Sequence, residues 1–193
     1  MRFEVKGNPS YGEVDVDLGP NETFLIEPGA MSRMSSNLNS SFQRQGGFFS
    51  AMFRKMFGGE SFFLGKYEHP DGGKLTFAPS IPGSVQHRQL SNSSLKIMAG
   101  GFLACTPGVN IKANFGGWKA FFSGEGAFLL EASGNGDLFF NSFGGIVEKE
   151  INGEFIVDTG HVVAFDPSLD YKITGMGSFK STMLSGEGLV MRF

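Results

Sequence analysis

The sequence predicts one all-β domain in which three diverged copies of a β unit form a barrel-like or β-helical stack with pseudo-threefold symmetry. Two observations carry this prediction. Glycine and phenylalanine are far above ordinary usage, with 29 and 22 residues in a chain of 193, as expected for tight turns and aromatic cores. In addition, several short motifs recur three times in the same order along the chain.

The first recurring motif is Gly-x-Val, which opens a short alternating strand. It starts at Gly12, Gly83 and Gly145, at intervals of 71 and 62 residues. A glycine motif with a nearby glutamate opens a second apolar strand at Gly58, Gly124 and Gly186, at intervals of 66 and 62 residues. These intervals divide the single domain, residues 1–193, into repeat 1 at about 1–73, repeat 2 at about 74–135 and repeat 3 at about 136–193.

Two further motifs complete the unit. A predicted strand precedes each Gly-x-Val, and downstream of it an apolar strand runs into Pro28, Pro107 or Pro167. Proline has no N–H to donate, so it ends a β ladder. A unit of this kind buries only one face, and we therefore expect three units to share one core.

One segment breaks the pattern. From the proline to the glycine–glutamate motif there are 30 residues in copy one, against 17 and 19 in the others. The additional residues fall within 42–57, where aromatic and methionine side chains follow helical spacing. Arg54 and Lys55 lie on the opposite face, and Gly58-Gly59 are placed to end the helix. The pattern predicts a short cationic amphipathic helix over about 46–57.

Two interpretations of this helix remain open. A Phe/Met stripe at helical spacing is usually core, which favours a plug at one end of the barrel. The alternative is a docking surface for a protein groove or a membrane surface. We call its candidate residues the insertion surface: Phe48, Phe49, Met52, Phe53, Arg54, Lys55, Met56 and Phe57.

Charge and cysteine content bear on the partners and the cellular location that we expect. The net charge is −3 and the pI about 5.6, so we expect no DNA partner and do not expect RNA binding. Cys105 is the single cysteine, so no internal disulfide can form and a cytoplasmic location is predicted. No run of 18 apolar residues occurs, which excludes a spanning helix and leaves peripheral membrane contact open.

No arrangement of catalytic or metal-binding residues is found in the sequence. His69, His87 and His161 lack the close spacing of a cupin-type metal site. Cys105 precedes a proline in an apolar run and is predicted to be a buried, inert thiol. The triplet that starts at Asp158, Asp-Thr-Gly, has no second copy, so we interpret it as a turn. We expect no catalytic residues, cofactor, metal or enzymatic activity.

The chain resembles the family named after altered inheritance of mitochondria protein 24, also called domain of unknown function 124. The resemblance runs from end to end. It rests on motifs that include Pro28-Gly29-Ala30-Met31, Gly58-Gly59-Glu60-Ser61-Phe62-Phe63, Gly101-Phe102-Leu103-Ala104, Val157-Asp158-Thr159-Gly160-His161 and Gly186-Glu187-Gly188-Leu189-Val190.

The resemblance implies a double-stranded β-helix like that of the tryptophan RNA-binding attenuation protein, and no established enzymatic activity. Mitochondrial members are associated with the integrity of the inner membrane. The family supplies no catalytic or ligand-binding residues to carry over. Similar members continue with a Gly-Pro-Gly turn and a last strand, so repeat 3 is expected to be clipped at Phe193.

Two functions therefore compete. The leading hypothesis is a non-enzymatic β-scaffold that assembles with itself, with proteins or at a membrane surface through the insertion surface. The alternative, which rests on fold analogy alone, is a module that binds RNA or a small ligand. Homo-oligomerisation is left open.

Overall fold

The computed structural model describes residues 1–44, 63–115, 128–175 and 189–193, and these fold mostly as antiparallel β-sheets. Its strands in chain order are β1 (Arg2–Lys6), β2 (Glu13–Leu18), β3 (Thr23–Ile26), β4 (Met31–Met34), β5 (Asn39–Arg44), β6 (Phe63–Glu68), β7 (Gly73–Phe77), β8 (Val85–Met98), β9 (Phe102–Cys105), β10 (Val109–Phe115), β11 (Phe128–Asn141), β12 (Ile156–Asp158), β13 (Ala164–Phe165), β14 (Lys172–Gly175) and β15 (Leu189–Arg192). The all-β prediction is confirmed.

A four-stranded sheet has the order β1-β2-β7-β4. In β2 the apolar residues alternate with acidic ones, so Val14, Val16 and Leu18 point into the core while Glu13 and Asp15 face outward. Strand β2 pairs with β1 from Lys6↔Glu13 onward and with β7 along its other edge.

An eight-stranded sheet has the order β13-β8-β11-β9-β3-β6-β5, with β10 also paired to β11. Its long pair is β8 with β11, which runs from Leu129↔Met98 to Asn141↔Val85. A bulge between Gly134 and Asn135 interrupts the register. Strand β9 lies centrally, and all four of its residues are buried.

A smaller three-stranded sheet has the order β12-β15-β14. Its strands are three or four residues long, and Met191 on β15 packs in a buried cluster with Leu129 and Phe165 of the large sheet. The two main clusters lie on the large sheet. One joins the four-stranded sheet around Phe77 and Phe139, and the other includes Leu25 and Ile97.

The three Gly-x-Val motifs meet in space. The Gly12 N–H donates to the Gly83 carbonyl at 2.8 Å, and the Ser84 N–H donates to the Gly144 carbonyl at 2.9 Å. Isolated parallel bridges join Tyr11 to Gly83 and Gly83 to Gly144. A Cβ on Gly83 would lie 1.8 Å from the Ser142 carbonyl oxygen, so only glycine permits this approach.

The expected closure into a barrel is wrong for the described residues. The sheets have free edges, with β13 and β5 at the ends of the large one. Strand β13 spans only two residues, and no strand forms within residues 145–154, so nothing continues the ladder there. The double-stranded β-helix and the repeat boundaries stay predictions.

The insertion surface and the helix predicted over 46–57 lie outside the described residues. Within the described ranges there is no α-helix, only 3-10 turns at Ala99–Gly101 and Thr159–His161. None of the helices described is long and apolar enough to cross a membrane.

Candidate functional site

The hairpin that leads into the insertion is described at its base. Strands β5 and β6 pair from Asn39↔Glu68 to Arg44↔Phe63, and β5 is the edge strand of the large sheet. Phe42 on β5 is 77% exposed and Phe63 on β6 is 39% exposed. An edge strand that presents a bare aromatic side chain is a ready site for contact with another surface.

No cluster of three or more His, Cys, Asp or Glu side chains occurs among the described residues. His69 lies in the turn between β6 and β7, where its Nδ1 accepts from the Asp71 N–H at 3.1 Å. Cys105 is fully buried, and desolvation raises the pKa of its thiol to about 12. This agrees with the prediction of an inert thiol.

His87 belongs to a pair that the sequence did not reveal. Its Nε2 lies 2.7 Å from the Asp137 Oδ1, and its ring stacks near Phe3 and Phe139 at centroid distances of 4.5 and 5.0 Å. Within the described ranges no hydroxyl or thiol side chain hydrogen-bonds to the second ring nitrogen. Among the described residues the pair therefore does not form a Ser–His–Asp or Cys–His–Asp arrangement.

A groove of about 700 Å³ runs along the outer face of the four-stranded sheet. Arg33 donates two bonds of 2.9 Å to Glu13 and a third of 3.0 Å to Asp15. Asp15 also accepts from Lys6 at 2.8 Å and from Thr76 at 2.5 Å. These bonds hold the pKa values of the Glu13 and Asp15 carboxyls below their usual range. The charged side chains at the centre of the groove are therefore paired with one another.

A second concavity of about 600 Å³, which we call the glycine cleft, lies between the two 3-10 turns. Its lining comes from the end of β11 at Asn141 and Ser142, from Gly100 and Gly101, and from residues 158–163. The Met98 N–H donates to the Val163 carbonyl at 2.9 Å, which ties the first turn to the chain after the second.

Asn141 is the unsatisfied group of this cleft. The residue is only 4% exposed, and its Oδ1 has no hydrogen-bond partner among the described residues. Leaving a buried acceptor unpaired costs about 1–3 kcal/mol, so native folds rarely tolerate one without a reason. The neighbouring Ser142 is satisfied, since its hydroxyl donates to the Gly144 carbonyl at 2.9 Å.

The second 3-10 turn confirms that the Asp-Thr-Gly triplet forms a turn. Asp158 accepts from the Gly160 N–H through Oδ1 at 2.8 Å, and the Thr159 hydroxyl donates to the Leu189 carbonyl at 3.0 Å. No described residue pairs with Asp158 Oδ2. His161 lines the cleft and is exposed, without a ring partner in the described ranges.

The walls of the cleft are apolar and open. Met98, Phe143 and Val163 contribute its hydrophobic surface, and Phe143 is 79% exposed. A Cβ added at Gly100 would meet no atom within 4 Å, which shows free space beside this turn. The described lining contains no lysine or arginine, so Asp158 gives the cleft a negative character.

Sequence reasoning missed Asn141 and Asp137. Asp137 begins the predicted strand before the third Gly-x-Val motif, and Asn141 directly follows that strand; the residues that each of them meets lie far away in sequence. The Gly144-Gly145 pair after Asn141 marks a tight backbone approach, and this was the available clue to a special site.

Comparison with known proteins gives consistent results. An uncharacterized protein of Streptococcus pyogenes serotype M6 is 31% identical over 204 residues, an alignment that covers 100% of this chain and 82% of the relative. The X-ray crystal structure of a Streptococcus pyogenes protein, a structural genomics target, matches with a TM-score of 0.80 at 29% identity, covering 100% of this chain and 88% of that one. The model of the family described as "Mitochondrial biogenesis AIM24" matches residues 3–193, and the chain therefore belongs to the AIM24 family.

Proposed function

We propose that this chain is a non-enzymatic β-scaffold that associates with an anionic membrane surface through the hairpin β5–β6 and the insertion that follows β5. The observation that carries the proposal is the 77% exposure of Phe42 on the edge strand β5. Covering this side chain with a partner surface is favourable, because it removes apolar area from water.

Charge supports the same surface. Residues 28–59 contain no aspartate or glutamate, whereas Arg33, Arg44, Arg54 and Lys55 all fall in this range. Cations beside bulky apolar side chains favour the interface of a membrane with anionic lipids, where each cation near the surface contributes about 1 kcal/mol. Arg33, the one of the four whose side chain is described, is paired with Glu13 and Asp15.

The scaffold itself is proposed to consist of three units of a double-stranded β-helix, like the fold implied by the family resemblance. The contacts that join Gly12 to Gly83 and Ser84 to Gly144 support this interpretation, because the three motifs lie side by side. The cytoplasmic location is proposed from the single cysteine.

The test is flotation of the full chain with vesicles of phosphatidylcholine and phosphatidylglycerol. Phe49→Asp with Phe53→Asp should reduce the bound fraction roughly tenfold or more, because the change removes the apolar area that the proposal assigns to the lipid contact. Phe42→Ser should give a smaller loss, and vesicles of phosphatidylcholine alone should bind less protein.

Val147→Asp is the matched control, since Val147 is 90% exposed and lies outside the contact hairpin. It should float like the wild type. Equal flotation of wild type and the double variant would refute the proposal, and so would no flotation of the wild type. Sedimentation of the lipid-free protein over a range of concentrations separates self-association from lipid binding.

A second function, small-ligand binding, is favoured by one specific observation, the unpaired Oδ1 of the buried Asn141 in the glycine cleft. RNA binding has no comparable support. The cations that line the groove on the four-stranded sheet include Lys6 and Arg33, which are already paired with acidic side chains. A filter-binding titration across salt concentrations tests it, and a flat response would mean that no phosphate contacts form.

A further inference from the structure

The polar groups of the glycine cleft are arranged to accept hydrogen bonds. Asn141 Oδ1 is buried and has no partner among the described residues. Asp158 Oδ1 accepts a hydrogen bond from the Gly160 N–H, whereas Oδ2 has no partner among the described residues. A ligand that fits these two side chains must bring N–H or O–H donors.

The charge of the cleft lining indicates which kind of hydrogen-bond donor a ligand would carry. Asp158 is the one acidic side chain in the described lining, which holds one histidine, His161, and no lysine or arginine, so beside a neutral imidazole a cation is attracted and an anion is repelled. A carboxylate ligand would also place its oxygens against acceptor oxygens. An ammonium group, by contrast, offers three N–H donors and a compensating charge.

The apolar residues of the cleft indicate the chemistry of the rest of the ligand. Met98, Phe143 and Val163 form an apolar surface, and Phe143 is 79% exposed to solvent. The space beside Gly100 is open, and the cleft volume of about 600 Å³ lies within the usual range for small-molecule sites. An aromatic or aliphatic body of modest size fits this surface.

We propose that the glycine cleft binds a small primary ammonium compound with an apolar body. The ammonium group donates to Asn141 Oδ1 and to Asp158, and the body packs on Phe143. Nothing in this proposal depends on the insertion surface or on membrane contact, so it goes beyond the scaffold function and stands independently of it.

The test uses the full chain, labelled with ¹⁵N, and titrates it with 2-phenylethylamine while amide shifts are recorded by NMR. We expect shifts at Gly100, Gly101 and Gly160, with a dissociation constant on the order of 1 mM, as is usual for a ligand of this size. The neutral analogue 2-phenylethanol should bind about fivefold or more weakly, because it lacks the charge. Phenylacetate should cause no shifts in the cleft.

Two variants test the named groups. Asp158→Asn keeps an oxygen that can accept from the Gly160 N–H but removes the charge, and should weaken 2-phenylethylamine roughly tenfold. Asn141→Leu removes the unpaired acceptor, and should weaken binding while the melting temperature holds or rises. If Asn141→Leu does not fold, Gly100→Val tests occupancy instead, because its side chain would enter open space and block the ligand.

Glu148→Gln is the matched control, since this carboxylate is 88% exposed and lies outside the cleft lining. It should leave binding unchanged. The proposal is overturned by an absence of cleft shifts at about 20 mM amine, a concentration far above the expected dissociation constant. Equal binding of the amine and the alcohol, or equal losses in Asp158→Asn and Glu148→Gln, would also overturn it.

Discussion

Three valines occupy the same place in the three Gly-x-Val motifs and meet different environments. Val14 and Val85 are buried, with 0 and 1% of their surface exposed, whereas Val147 is 90% exposed. The first two open strands that pair with a neighbouring strand, but residues 145–154 make no backbone hydrogen bond to another described residue.

The difference between the motifs is whether a partner strand lies beside them. Strand β2 pairs with β7, and the first half of β8 pairs with the second half of β11, so each is joined by a strand that follows it in the chain. The third motif finds no such strand among the described residues, and Ile146 packs against the core instead of Val147. The same motif thus forms a strand only where a neighbouring strand is available for backbone hydrogen bonding.

The largest expected effect lies where the paired strands share a core. Phe139 on β11 is fully buried, with ring centroids 5.1 Å from Phe3, 5.8 Å from Phe24 and 5.4 Å from Phe77. Phe139→Ala should lower the free energy of unfolding by about 3–5 kcal/mol, because the cavity removes contacts from three elements. Urea denaturation measures it, and a loss below about 1 kcal/mol would break the claim of a shared core.

The valine pair tests the comparison directly. Val14→Ala should cost about 1.5–2.5 kcal/mol, the lost burial plus a small cavity. Val147→Ala should change stability by less than about 0.5 kcal/mol, as for exposed sites in general. Both are measured by urea denaturation, and equal losses would show that Val147 is covered in solution.

Glu27 provides a pH-dependent test of burial in the part of the molecule whose strands are paired. It follows β3, and partial burial without a described side-chain partner raises the pKa of its carboxyl to about 7. Since the folded pKa lies above the unfolded value, its contribution to stability is full below pH 4.5 and is lost as the pH rises through about 7.

Glu27→Gln should therefore stabilise the protein at pH 8, by on the order of 1–2 kcal/mol, and flatten the stability profile between about pH 5 and 8. Thermal unfolding across this range measures the effect, with Glu148→Gln as an exposed control. A variant that is no more stable than the wild type at pH 8 would contradict the assignment.

The smallest effect is expected on the outer face of the four-stranded sheet. Arg33 bridges Glu13 and Asp15, but its side chain is 56% exposed, so solvent screens these pairs. Arg33→Gln should shift the urea midpoint slightly downward at low salt, and the difference from wild type should vanish in about 1 M NaCl. A large shift that persists in salt would mean that the network is essential to the fold.

Sequence patterns were sufficient for the strands with strong alternation. The acid–apolar alternation of β2, the apolar run of β9 and the burial of Cys105 follow from local residue types alone. Recurrent motifs also indicated that Gly12, Gly83 and Gly145 belong together. The prediction of a closed barrel was wrong, because a motif does not reveal whether a partner strand lies beside it.

The cleft was beyond sequence reasoning for a related reason. Asn141 ends a strand, and His161 follows a turn, and neither residue type is unusual in such a place. Their proximity depends on the bond from Met98 to Val163, which joins residues far apart in the chain.

The most direct test of the open scaffold is native-state hydrogen exchange of the three equivalent segments. Amides in β2 and in residues 85–90 of β8 should exchange slowly, near the global unfolding limit, because both segments are hydrogen-bonded in ladders. Amides of residues 146–154 should exchange close to the rate of an unstructured peptide. Protection of residues 146–154 equal to that of β2 would contradict the account, since it would show that the third segment is paired.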